Sequence, residues 1–120
     1  MPELHYHESI RDYFEVMADP ARQWTVGPTE AICEWFDDIY IPYHAAEHSN
    51  SQSWQQALRD FESCFSSSEL DAMREYHAYF SSIVGHFDVD REWAAIQRDP
   101  AWIRLTSEAQ KALAVFHQKT

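Results

Sequence analysis

The chain has 120 residues, with 20 Asp and Glu against 9 Lys and Arg and a formal charge of −11. That length supports one hydrophobic core, so a single domain over residues 1–120 is expected, and two Gly, five Pro and 15% aromatic residues argue against disorder. The acidity argues against nucleic-acid backbones and anionic membranes as partners, because both require cations.

Apolar periodicity sets the class. Ile10, Tyr13, Phe14 and Met17 recur at i, i+3, i+4, i+7, the stripe of an amphipathic helix, and Asp19-Pro20 ends it. Gly27-Pro28 opens a second helix with the stripe Ile32, Trp35, Phe36 and Ile39, limited by Pro42. Residues 47–51 read as a polar loop. A third helix carries Trp54, Ala57, Leu58, Phe61 and Phe65. Ser66 and Glu69 then form a capping box for a fourth, which runs through Leu70, Met73, Tyr76, Phe80 and Val84 to Gly85. Asp90 to Arg98 holds a short helix around Trp93 and Ile96. Asp99-Pro100 starts the last, with Trp102, Leu105, Ala109, Leu113 and Phe116 on one face. The only β-like run is Ile39-Tyr40-Ile41-Pro42-Tyr43.

The expected architecture is therefore all-α, a compact single-domain bundle of five or six amphipathic helices with little or no β. Its core would include Ile10, Phe14, Ile32, Trp35, Phe36, Leu58, Phe61, Phe80, Trp102 and Leu113. Residues 8–15 align with residues 30–37 at an offset of 22, and Pro20 then aligns with Pro42. No common solenoid has that period, so regular helix length is the better reading.

Cys33 and Cys64 have no Cys-x-x-Cys partner and fall on apolar helix sides; buried free thiols are expected. No apolar run is long enough for a bilayer span, and the first residues lack the pattern of a secretory leader, so a cytoplasmic location is expected.

Charge is uneven along the chain: −7 over residues 1–40, −4 over 41–80 and zero over 81–120. Within the first third the acids are phased. Glu8, Asp12, Glu15 and Asp19 lie opposite the apolar stripe of the first helix. Glu30, Glu34, Asp37 and Asp38 lie opposite that of the second. Like charges at i, i+4 cost a helix roughly 0.2–0.5 kcal/mol per pair. A solvated face that maintains solubility is the plain reading of such a pattern. The functional reading is a docking surface for a basic protein, with the neighbouring Tyr6, Tyr40 and Tyr43 as aromatic anchors.

Catalytic and metal patterns are weaker. His44-Ala45-Ala46-Glu47-His48 spells H-x-x-E-H, the inverted zinc-protease motif, in which His44 and His48 would bind Zn²⁺ and Glu47 would act as base. The segment lies between Pro42 and a Ser/Asn loop, so the helix such a site needs is not expected, and neither is a zinc ion shared by His44 and His48. His5 and His7 could add ligands, but no Glu-x-x-His pair supports a di-iron site. No Gly-rich phosphate loop and no G-x-S-x-G elbow occur. No cofactor and no catalytic residue is assigned.

In size, acidity, helix content and aromatic richness the chain resembles bacterial immunity proteins that neutralise nuclease toxins, and also secretion chaperones. The resemblance is of type and rests on no motif. It implies a non-catalytic binding protein, immunity-protein or inhibitor-like, using Glu8, Asp12, Glu15, Glu30, Glu34, Asp37, Asp38, Tyr40 and Tyr43. The alternatives are a histidine/carboxylate metal-binding protein or small metal-dependent hydrolase using His44, Glu47 and His48, and a secretion-chaperone-like protein.

Overall fold

The computed structural model describes residues 6–87 and 92–117, and every regular element among them is helical. Helix α1 (Tyr6–Met17) buries Ile10, Tyr13, Phe14 and Met17, the predicted stripe. The Asp19 carboxylate then accepts the Ala21 N–H at 3.0 Å, and Pro20 occupies the first turn of α2 (Pro20–Gln23). Asp19-Pro20, expected only to end α1, also begins a new helix, because proline at the first helical position sacrifices no needed donor.

Helix α3 (Pro28–Cys33) continues without a break into a π-helical turn, Glu34–Ile39, closed by the Tyr40 N–H donating to the Trp35 carbonyl at 3.2 Å. Helix α4 (Ile41–Glu47) follows at once, with Pro42 in its first turn. The β-like run is thus divided between the π turn and α4. Ser51 caps α5 (Gln52–Glu62), accepting the Trp54 N–H at 3.4 Å. The capping box of Ser66 and Glu69 forms in both directions at the start of α6 (Ser67–Ile83), at 2.8 and 3.1 Å. A 3₁₀ turn, Val84–His86, precedes Phe87. Helix α7 (Trp93–Arg98) leads to α8 (Pro100–Phe116), whose cap is the Asp99 carboxylate accepting from Ala101 at 2.9 Å. The predicted start of the α7 segment at Asp90 lies outside the described residues.

Eight α-helices therefore stand among the described residues where five or six were expected. The surplus is α2 and α4, each with a proline in its first turn where the sequence pattern predicts a helix limit.

Helices α6 and α8 pack along each other, α1 lies against α8, and one hydrophobic cluster runs through all of the major elements. Of the ten predicted core residues, Ile10, Phe14, Trp35, Phe61, Phe80 and Trp102 are buried. Ile32, Phe36 and Leu113 are half-buried against the cluster; Leu58 is half-buried but not part of it. Both cysteines are free thiols, but Cys33 is exposed and Cys64 only half-buried, contrary to the expected burial. The π turn carries Trp35 into the core and leaves Cys33, one residue before it, facing outward.

The core contains one buried amide. Gln23 is fully enclosed and makes four side-chain hydrogen bonds: Nε2 donates to the Met17 carbonyl (2.8 Å) and Thr106 Oγ1 (3.0 Å), while Oε1 accepts from Gln97 Nε2 and Trp102 Nε1 (2.9 Å each). Its backbone carbonyl accepts from Trp93 Nε1 at 3.0 Å. A four-residue helix gains its place through these bonds, because its own length confers almost no stability.

Candidate partner-binding surface

The acids of α1 divide by height along the helix. Asp12 is exposed and makes a long, exposed contact with Arg11 at 3.4 Å. Glu15 is drawn toward the far side, where Arg22 and His117 approach it at 3.7 and 3.8 Å. Asp19 is spent on the α2 cap. Glu8 is exposed in the first turn.

On the second acidic segment, Glu30, Asp37 and Asp38 are exposed and Glu34 is half-buried. The π turn widens the helix by one residue per turn, so Asp37 and Asp38 no longer continue a single α-helical stripe. Asp37 faces Cys33, whereas Asp38 stays near Glu34. Burial first, then the Glu30 and Asp38 charges, push the Glu34 carboxyl above its ordinary value. Burial, Asp37 and Asp38 similarly raise the Cys33 thiol, which disfavours the reactive thiolate.

Two clefts flank this segment. The first, about 280 Å³, lies between α1 and α3, with Tyr13, Val16, Met17, Val26 and Ala31 as its apolar lining and Asp12, Glu30 and Glu34 as its charged groups. No cation lines it, and none pairs with Glu30, Glu34 or Asp38 among the described residues. The second, about 370 Å³, is lined by Ile32, Cys33, Phe36, Asp37, Tyr43, Ser81 and Val84. Periodicity alone places all of these acids on simple helix faces; in the structure Asp12, Glu30 and Glu34 share the first cleft, with Asp38 near Glu34 outside its lining.

The predicted aromatic anchors fare differently. Tyr40 is buried, stacked on Trp35 at 4.6 Å with planes 13° apart, so its ring belongs to the core and not to the acidic surface. Burial pushes its hydroxyl up to about 12. Tyr43 is half-buried at the rim of the second cleft, and the Glu47 carboxylate beside its hydroxyl raises its pKa, which disfavours the phenolate. Tyr6 is half-buried against Phe61 at 5.4 Å.

His44 and Glu47 do lie on a helix, contrary to expectation, because Pro42 starts α4 and does not prevent it. Yet His44 and His48 both lie parallel to the Trp54 ring, at 5.0 and 5.6 Å, with interplanar angles of 17° and 14°. Among the described residues no three His, Cys, Asp or Glu side chains converge to hold a metal ion.

The residue that sequence reading undervalued is His77 on α6, half-buried against Phe36, Tyr40 and Tyr43 at centroid distances of 5.5, 4.7 and 5.6 Å. Its Nδ1 accepts the Trp35 indole N–H at 3.1 Å, and its Nε2 lies 3.3 Å from Ser81 Oγ. An indole nitrogen only donates, so Nδ1 carries the lone pair and Nε2 the proton. That tautomer donates to Ser81 and cannot take its proton, so the pair is not arranged as a nucleophile and base. Burial lowers the basicity of the ring.

No helix among the described residues is long and apolar enough to cross a membrane. No protein-family model, no curated protein and no solved structure matches the chain.

Proposed function

We propose that this protein is a small acidic binding protein that captures a cationic protein partner through the surface formed by α1, α3 and the π turn, in the manner of an immunity protein or inhibitor. The observation that carries this reading is the convergence of Asp12, Glu30 and Glu34 on one apolar-floored cleft that no cation lines. An arginine or lysine side chain suits such a cleft: its aliphatic stem covers apolar surface while its head meets carboxylates. The unbalanced negative field would also speed encounter with a basic surface. Asp38 extends the charge along the same side, while Asp37 and Tyr43 border the second cleft.

The test starts by isolating the partner by affinity purification and then measures its association with the purified protein across a range of salt. Glu30→Lys with Glu34→Lys should slow association and flatten its salt dependence. The same charge change at two exposed acids that do not line the cleft, Glu62→Lys at the end of α5 with Glu75→Lys on α6, should do so far less. Equal effects of the two double variants, or unchanged affinity and salt dependence in the first, would reduce the acidic cleft to solvated surface.

A further inference from the structure

We infer that the contact between Trp35 and His77 is an acid-sensitive latch: a proton on His77 Nδ1 would set two N–H groups against each other and release the π turn that carries Glu34, Asp37 and Asp38. Trp35 is fully buried at the start of that turn, and its one polar side-chain atom is bonded to His77 across to α6. The bond exists only while His77 is neutral, because protonated imidazole has no lone pair to offer. Loss of the bond would leave a buried indole N–H unsatisfied, and the i→i+5 hydrogen bonds around it are a weak scaffold on their own.

The surroundings do little to hold a charge on His77. From the π turn and the Tyr40 connection it meets Phe36 and Tyr40; from α4 it meets Tyr43, with His44 and Glu47 beyond that ring. On α6 itself Arg74 lies one turn before it and Ser81 one turn after, while Glu62 of α5 acts on Tyr40. The exposed acids Asp37 and Asp38 stand on the turn being released. Among the described residues no carboxylate bonds either ring nitrogen of His77. The imidazolium therefore has no carboxylate partner in the closed state to offset the loss of the Trp35 bond, and acid favours the open one.

The bearing of this latch on partner capture rests on the function proposed above; the latch itself does not. It is tested first on the protein alone, by following the Trp35 indole N–H and the His77 ring nitrogens by NMR from about pH 8 to about pH 4.5. His77 should hold its proton on Nε2 at neutral pH and titrate with a midpoint below ~6.5. The Trp35 indole resonance should move with that same midpoint. In His77→Asn, whose side-chain oxygen can accept from Trp35 without titrating, the Trp35 resonance should stay flat over this range. In Trp35→Phe, which removes the opposing donor, the His77 midpoint should rise. A proton on Nδ1 at neutral pH, a Trp35 resonance unmoved while His77 titrates, or an identical response in His77→Asn would overturn the latch. Partner association at about pH 5.5 against pH 7.5 forms the second arm. A wild-type loss that His77→Asn removes supports control of capture. Equal losses in the two overturn that control, even where the NMR response stands.

Discussion

The hydroxyls of Tyr13 on α1 and Tyr76 on α6 hydrogen-bond to each other at 2.8 Å inside the core, where both rings are almost wholly hidden from solvent. Burial pushes both hydroxyls well above the usual tyrosine pKa, so the pair stays neutral and each oxygen is the other's partner. Tyr13→Phe or Tyr76→Phe alone strands a buried hydroxyl and should cost ~1–3 kcal/mol. The double variant should cost less than the sum of the singles, because it strands neither. Urea denaturation of the four proteins in a double-mutant cycle measures the difference.

Gln23 invites a harsher outcome. Gln23→Leu keeps much of the volume but leaves Trp102 Nε1, Thr106 Oγ1 and the Met17 carbonyl without their partner. A loss on the order of 3–5 kcal/mol is expected, large for a single small domain. Chemical denaturation with an unchanged m-value would attribute it to the native state.

The two phenylalanines of the predicted core should separate. Phe61 is fully buried and packs on Tyr6, Tyr40 and Phe65, so Phe61→Ala should cost ~3–5 kcal/mol. Phe36 lines the rim of the second cleft and is half-buried, so Phe36→Ala should cost clearly less. Thermal denaturation of the two variants ranks them.

Glu34 sets a pH dependence of known sign. Its folded-state carboxyl titrates above the unfolded one, so the ionised form is disfavoured by folding and opposes stability at neutral pH. Glu34→Gln should therefore raise the melting temperature at pH 7. The gain should shrink as pH falls through the raised folded value and vanish below the ordinary carboxylate range. Melting curves of both proteins over that pH series check the direction, and a gain that grew toward acid would contradict it.

The parts of the fold that could be read from sequence are those with local physical causes. The stripe of α1, the Ser66–Glu69 box and the Asp99-Pro100 start depend on residues within four positions of one another, and all appear as expected. Pro20 and Pro42 were ambiguous, because proline both ends helices and begins them, and the choice depends on what the next turn packs against. The π turn has no residue signature: its extra residue is absorbed to bring Trp35 and Tyr40 onto the same side. Gln23 reads as surface because its partners Gln97, Trp102 and Thr106 lie 74 to 83 positions away. The acidic cleft was half legible. Phasing identified Glu30 and Glu34, but only the packing of α1 beside α3 could bring Asp12 to them and send Glu15 elsewhere.

The seating of α1 against α8 has a consequence for the order in which the protein can be made. Phe14 meets Phe116 at 5.6 Å, His7 meets the same ring at 5.2 Å, and Gln110 donates to the Ala18 carbonyl at 3.0 Å. Helix α1 is thus made well before α8, and its apolar stripe is fully covered only once α8 is made. Until α8 emerges, Phe14 lacks part of the surface that buries it, and the nascent chain carries an adhesive helix over that interval. The strong negative charge of the early residues, −7 over the first forty, keeps like nascent chains apart during that interval.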